Sequence, residues 1–271
     1  MYEEINGKVL VKKSDVFDLK QISQSGQCFR LKPISQNRFI AVTQNYCVSI
    51  LLADDFYEFD CSISEFENIW VSYFDLKTDY KSYQDEMAND SFLKAAIRYG
   101  GGIRILQQDL WEMIVTFIIS QRNNIPRIQK SVDILCRAYG NYLTTICEED
   151  IYSFPTLTQL RGKDLSIASL GYREKYIQEL CKMDDSFLLQ IKNQDDETAK
   201  NSLLQIRGIG EKVANCVLLF GLHRMNSYPI DVWIERLIKD IYDGKFNPNK
   251  YQGYAGYVQQ LQFYYYRSLN K

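Results

Sequence analysis

The hydrophobic repeat of this chain changes period near Ile63. Before that point, short runs rich in β-branched and aromatic residues (Lys8–Val11, Cys28–Leu31, Arg38–Thr43 and Tyr46–Leu52) are separated by polar or Gly/Asn breaks. Alternation of this kind belongs to strands that bury one face. Beyond it, apolar residues recur three and four apart, as in Trp111, Ile114, Val115 and Ile118, and again in Ile128, Val132, Leu135 and Cys136. That is the repeat of an amphipathic helix. A chain that switches once between the two periods folds as α+β, with strands and helices segregated. The expectation is an N-terminal antiparallel β-sheet domain over residues 1–85, then a helical body over 86–271. Breaks fall at Gly100-Gly101-Gly102, at Pro155, in the polar stretch 193–197 and at Asn247-Pro248-Asn249.

With 271 residues, 46% of them hydrophobic, the chain can bury a sizeable core. Its seven cysteines are odd in number, scattered and free of any C-x-x-C pair. Neither a disulfide framework nor a metal or other cofactor site is expected from them. The start Met1-Tyr2-Glu3-Glu4 lacks a basic segment followed by an apolar one, and no later run approaches the roughly 20 apolar residues of a membrane span. The reading is a cytoplasmic or nuclear protein, monomeric, with no membrane partner. A net charge of −2 argues at face value against nucleic acid. Its distribution softens the argument: from Arg98 to Gly140 six bases face three acids.

The most informative segment lies within residues 199–223. An amphipathic run ending Leu203-Leu204-Gln205-Ile206-Arg207 passes through Gly208-Ile209-Gly210 straight into a second, Glu211-Lys212-Val213-Ala214-Asn215-Cys216-Val217. Two glycines permit a very tight turn, and Ile209 can plug between the helices. The second helix then starts at the hairpin, where the unpaired N–H groups of its first turn, Val213 among them, suit a phosphate. This is a helix-hairpin-helix, a reader of DNA backbone rather than of sequence. Lys212 falls in that first turn, where the positive end of the helix dipole disfavours a cation, and an amine without its proton is a nucleophile. Nineteen positions on, Pro229 ends an extended stretch and Asp231 is placed to cap a helix beginning at Val232.

At this point the chain resembles the helix-hairpin-helix superfamily of DNA glycosylases, and within it the 8-oxoguanine glycosylases with β-lyase activity. Ser25-Gly26-Gln27-Cys28-Phe29-Arg30, Asn123-Asn124-Ile125-Pro126-Arg127, Leu170-Gly171-Tyr172-Arg173 and Tyr254 to Phe263 match that family's segments, in order, around the hairpin. The resemblance implies a bifunctional enzyme acting on double-stranded DNA that contains 8-oxoguanine. Lys212 is then the nucleophile and Asp231 its carboxylate partner. The main-chain carbonyl of Gly26 accepts from N7–H of the lesion, Gln259 reads its Watson–Crick edge, and Phe263 and Cys216 sandwich it. Tyr172 wedges the gap, Asn123 lines it, and Arg127 and Arg173 read the orphaned cytosine. The turn glycines Gly208 and Gly210, with Val213, hold the backbone. Two departures stand out: animal members carry Asn where this chain has Arg122, and His where it has Trp233.

Two other readings stay open on the sequence. One is a glycosylase for another damaged base, against which Lys212 and the absence of a four-cysteine tail argue. The other is a non-catalytic helix-hairpin-helix module, which needs neither Lys212 nor Asp231.

Overall fold

The computed structural model describes residues 2–270. Strands β1 (Tyr2–Ile5), β2 (Lys8–Lys12), β3 (Leu31–Ser35), β4 (Arg38–Thr43), β5 (Tyr46–Leu52) and β6 (Phe56–Phe59) form one sheet in the order β1-β2-β6-β5-β4-β3. Every neighbouring pair is antiparallel. Pro33 lies on the edge strand β3, the position where a residue without an N–H is tolerated. The sheet's inner face packs on α1 (Leu19–Gln24), α2 (Ile63–Glu65), a π-helical turn at Phe66–Trp70 and α3 (Val71–Tyr73). Its core takes in Phe74 and, from further along the chain, Leu106.

The Cys28–Leu31 run expected as a strand contributes only Leu31 to one. Cys28 to Arg30 bend instead, because their side chains serve different partners. Cys28 enters the sheet core, Phe29 enters the helical core, and Arg30 donates to the Cys136 sulfur and the Tyr152 carbonyl. The apolar pattern there marks a crossing between two cores, not a pleat.

The helical body contains α4 (Tyr80–Glu86), α5 (Ser91–Gly100), α6 (Leu110–Ser120), α7 (Ile125–Tyr139), α8 (Leu157–Leu160) and α9 (Arg173–Leu180). It continues with α10 (Ser186–Asn193), α11 (Asp196–Leu204), α12 (Glu211–Gly221), α13 (Val232–Tyr242) and α14 (Ala255–Leu269). Every residue of α6 from Leu110 to Ile119 is buried, as befits a helix apolar on all sides, and α12 packs along it. α14 closes the body against α5 and α13.

This part of the chain is mostly helical, as expected, with one addition that the sequence did not disclose. After α7 a hairpin forms from β7 (Tyr142–Ile146) and β8 (Glu149–Tyr152). Its two linking residues, Cys147 and Glu148, both have positive φ, 51° and 63°, the geometry that matches strand twist across a two-residue turn. The hairpin is held by tertiary contact: Ile151 covers Ile40 and Val42 on the outer face of the sheet.

Candidate active site

The hairpin places Lys212. Gly208 has φ +89°, and a Cβ there would lie 2.5 Å from the Tyr176 ring, so both conformation and space require glycine. Ile209 is buried beneath the turn, and the Gly208 carbonyl accepts from Gln121 Nε2 at 2.8 Å. Gly210 is the N-cap of α12 and offers no side-chain cap, which leaves the first-turn N–H groups at Lys212 and Val213 free for a ligand. Lys212 is the second residue of α12. Its Nζ donates to Ser120 Oγ at 3.3 Å and lies 5.1 Å from the centroid of the Phe117 ring. The Ser120 hydroxyl passes the chain on to the Phe117 carbonyl at 2.8 Å.

Asp231 is the N-cap of α13, and one carboxylate oxygen does all the capping. Oδ1 accepts from the backbone N–H of Trp233 and of Ile234, each at 3.0 Å. Oδ2 takes no hydrogen bond among the described residues. Lys212 and Asp231 line one cleft of about 720 Å³, together with Ser120, Gly26, Asn123 and Phe263. They do not form an ion pair with each other among the described residues.

The loop after α1 lines the same cleft through Gly26. Gly26 has φ +83°, and an added Cβ would meet Ile125 Cδ1 and Phe263 Cε1, both at 3.3 Å, and Arg267 Nη1 at 3.4 Å. Three neighbouring carbonyls are engaged: Gln24 by Arg267 Nη2 at 2.7 Å, Ser25 by Gln260 Nε2 at 2.8 Å and Gln27 by Gln108 Nε2 at 2.9 Å. The Gly26 carbonyl between them has no partner among the described residues. The buried Gln27 amide anchors the loop further, donating to the Arg104 carbonyl and accepting from Leu106 N–H, each at 2.9 Å.

Cys216 and Gln259 do not line the cleft. Both are buried behind it, and Gln259 Oε1 is without a hydrogen-bond partner. Burial pushes the Cys216 thiol pKa up, and the Lys212 ammonium opposes that rise. Arg267 is a cleft residue that the sequence reading missed. Its guanidinium lies 4.9 Å from the centroid of the Phe263 ring, four residues earlier on α14, and burial lowers its pKa. That i, i+4 spacing was the available signal.

The remaining candidates gather around the turn after α6. Arg122 is exposed with φ 46°, and Arg127 is exposed in the first turn of α7. Asn123 donates from Nδ2 to the Ile119 carbonyl at 3.1 Å. Arg173 is buried, and its guanidinium is bound to the carbonyls of Gln121, Arg122 and Leu170. Tyr172 stands exposed beside it, 4.7 Å from ring centroid to guanidinium carbon.

A sheet domain, a helical body and a hairpin whose second helix opens onto a cleft with a capping aspartate define the class, a helix-hairpin-helix DNA glycosylase. Residues 8–114 match the family model of the 8-oxoguanine DNA glycosylase N-terminal domain. The chain is 32% identical to the N-glycosylase/DNA lyase of Saccharomyces cerevisiae over 277 residues, covering 90% of this chain and 73% of that one. It is similar to the solved structure of MBOgg1 in complex with a low-affinity DNA ligand (TM-score 0.91, 32% identity, 100% of this chain and 99% of that one). It is similar also to the Clostridium acetobutylicum 8-oxoguanine glycosylase/lyase, solved with double-stranded DNA containing cytosine opposite 8-oxoG (TM-score 0.89, 29% identity, 100% and 99% covered). The chain belongs to the 8-oxoguanine N-glycosylase/DNA lyase family.

Proposed function

We propose that this chain excises 8-oxoguanine from duplex DNA and then cuts the strand, with Lys212 as nucleophile. The observation that carries the reading is that Lys212 and Asp231 open onto one cleft that Gly26 and Phe263 also line. The damaged nucleotide must leave the helix to reach them. As the neutral amine, Lys212 Nζ then attacks C1′ of the sugar; the bonding pair of the glycosidic bond departs with the base, which takes up the proton that Nζ loses on forming the new N–C bond. Opening of the sugar ring gives an iminium between Nζ and C1′. Loss of a C2′ proton then expels the 3′ phosphate by β-elimination. Asp231 offsets the positive charge that grows on the sugar as the base departs, and its uncommitted Oδ2 is the oxygen for that task.

Selection of the lesion rests on the Gly26 carbonyl, which has no hydrogen-bond partner among the described residues. 8-Oxoguanine carries N7–H, a donor for the Gly26 oxygen, whereas guanine presents a lone pair that repels it. Gln259, with its buried and unpartnered Oε1, is suited to the Watson–Crick edge. Phe263 lies against one face of the base, and Cys216, which does not line the cleft, reaches the other face only as the wall in front of it opens. Arg127 and Tyr172 act at the gap and the orphaned cytosine. Arg173 serves there by fixing the Gln121–Arg122 backbone, and reads a base only by releasing those carbonyls.

No helix among the described residues is long and apolar enough to cross a membrane. The site of action follows the DNA, the cytoplasm of a prokaryote or the nucleus of a eukaryote. Borohydride trapping on an 8-oxoguanine·cytosine duplex tests the reading. A covalent adduct supports it; base release without an adduct indicates a hydrolytic glycosylase, and binding with neither indicates a non-catalytic module.

A further inference from the structure

The side chain of Arg267 is half committed. Nη2 donates to the Gln24 carbonyl at 2.7 Å, while Nη1 is buried and has no hydrogen-bond partner. A buried guanidinium N–H left unpaired costs free energy, so a fold that keeps one implies a partner supplied from elsewhere. The point where this donor lies is informative. Nη1 is 3.4 Å from the position a Cβ on Gly26 would take, and Phe263 Cε1 is 3.3 Å from the same position. The unpaired donor and the edge of the Phe263 ring therefore meet beside the α-carbon of Gly26, the residue whose own carbonyl is unpaired among the described residues. For Nη1 to meet a base held at Gly26, the Phe263 ring beside it has to turn aside.

We infer that Arg267 is a specificity-determining residue whose Nη1 donates to the C8 carbonyl of the extruded base, beside the contact from N7–H to the Gly26 carbonyl. On 8-oxoguanine those two groups are adjacent, a donor next to an acceptor, and the wall offers an acceptor next to a donor. Undamaged guanine has C8–H in that place and leaves Nη1 unpaired. The wall then discriminates twice, once by repulsion at N7 and once by an unmade charge-assisted bond at C8. The Phe263 ring, against which the guanidinium stacks at 4.9 Å, covers the donor until the base arrives.

The inference rests on the excision reading, and the test separates the two. Single-turnover excision is measured for the wild type, Arg267→Met and Arg267→Lys on three duplexes carrying 8-oxoguanine, 8-thioguanine or an abasic site. 8-Thioguanine keeps N7–H but offers sulfur, a poor acceptor, in place of the C8 oxygen; the abasic duplex keeps every phosphate but no base. Arg267→Met is expected to slow 8-oxoguanine excision roughly tenfold to a hundredfold, the size of one charge-assisted hydrogen bond. The loss should shrink to within about threefold on 8-thioguanine, and strand cleavage at the abasic site should be unchanged. Arg267→Lys, which keeps the cation over Phe263, should fall between. An equal loss on 8-oxoguanine and 8-thioguanine would mean that Arg267 acts only by holding the Gln24 loop, and an equal loss at the abasic site would mean a phosphate contact or a misfolded variant. Either overturns the inference, as does an unaffected Arg267→Met. A wild type that releases no 8-oxoguanine overturns the excision reading instead.

Discussion

The Lys212 ammonium and the Ser120 hydroxyl meet at 3.3 Å across the contact between α12 and α6. Ser120 ends the most completely buried helix of the body, so the amine is positioned by core packing and not by a surface loop. The hydroxyl is neutral. It steadies the amine without masking it as a carboxylate would.

Replacing Lys212 by Gln keeps length and polarity at the cleft but removes the nucleophile. Lesion-duplex binding should persist within a few-fold while base release and borohydride trapping both vanish. Trapping that survives in the variant would move the chemistry to another amine.

Asp231→Asn separates capping from catalysis. The asparagine Oδ1 can still accept from Trp233 and Ile234, so the melting temperature should hardly change. Single-turnover excision should nonetheless fall on the order of a hundredfold or more, because an amide cannot offset positive charge on the sugar. A variant that unfolds, or one that remains fully active, contradicts the assignment.

Opposite-base choice turns on the loop after α6. Arg122 holds φ 46°, a region that Asn tolerates better than Arg. Arg122→Asn should therefore fold at least as stably, within about 1 kcal/mol. The exposed Arg127 can contribute on the order of 1–3 kcal/mol of discrimination through a bidentate base contact. Excision opposite cytosine should exceed excision opposite adenine in the wild type, widen in Arg122→Asn and narrow in Arg127→Ala. Duplexes differing only in the opposing base provide the measurement, and equal wild-type rates would refute the ordering.

Glu112, buried in the first turn of α6, gives a pH signature. Burial pushes its carboxyl from 4.5 to about 7, with Arg30 opposing and Asp109 reinforcing the shift. The folded pKa lies above the unfolded one, so between these values the folded state holds the extra proton. Stability then falls as pH rises from 4.5 towards about 7, and the penalty is complete above that. Glu112→Gln should remove the slope, stabilising the protein by up to about 3 kcal/mol near pH 8 and changing little near pH 4.5. Denaturant titrations at the two pH values decide it; parallel curves for both proteins would exclude the carboxyl as the cause.

What the sequence disclosed is what depends on near neighbours. The Gly208 turn follows from a dihedral requirement, the Asp231 cap from the two N–H groups just after it, and β4 and β5 from short apolar, β-branched runs bounded by polar breaks. The β7–β8 hairpin was hidden because its turn uses Cys147 and Glu148, neither of them a residue that favours positive φ, and because its support comes from Ile40 and Val42 a hundred residues earlier. The tie between Arg267 and the loop after α1 was hidden for a similar reason, although the spacing of Arg267 from Phe263 was legible. Its hydrogen bond to Gln24 spans 243 positions, and nothing local marks the two as partners.

The acceptor offered to the lesion is a main-chain oxygen, and main chain is not subject to point substitution. No single codon change can delete the Gly26 carbonyl, whereas Gln260, Gln108 and Arg267, which occupy the carbonyls around it, are all open to mutation. Drift in substrate choice, in nature or in the laboratory, is thus channelled into these three anchors. Each exchange there tilts the peptide by degrees instead of abolishing the contact, so a library built at those positions should yield graded preferences among modified purines and few outright null enzymes.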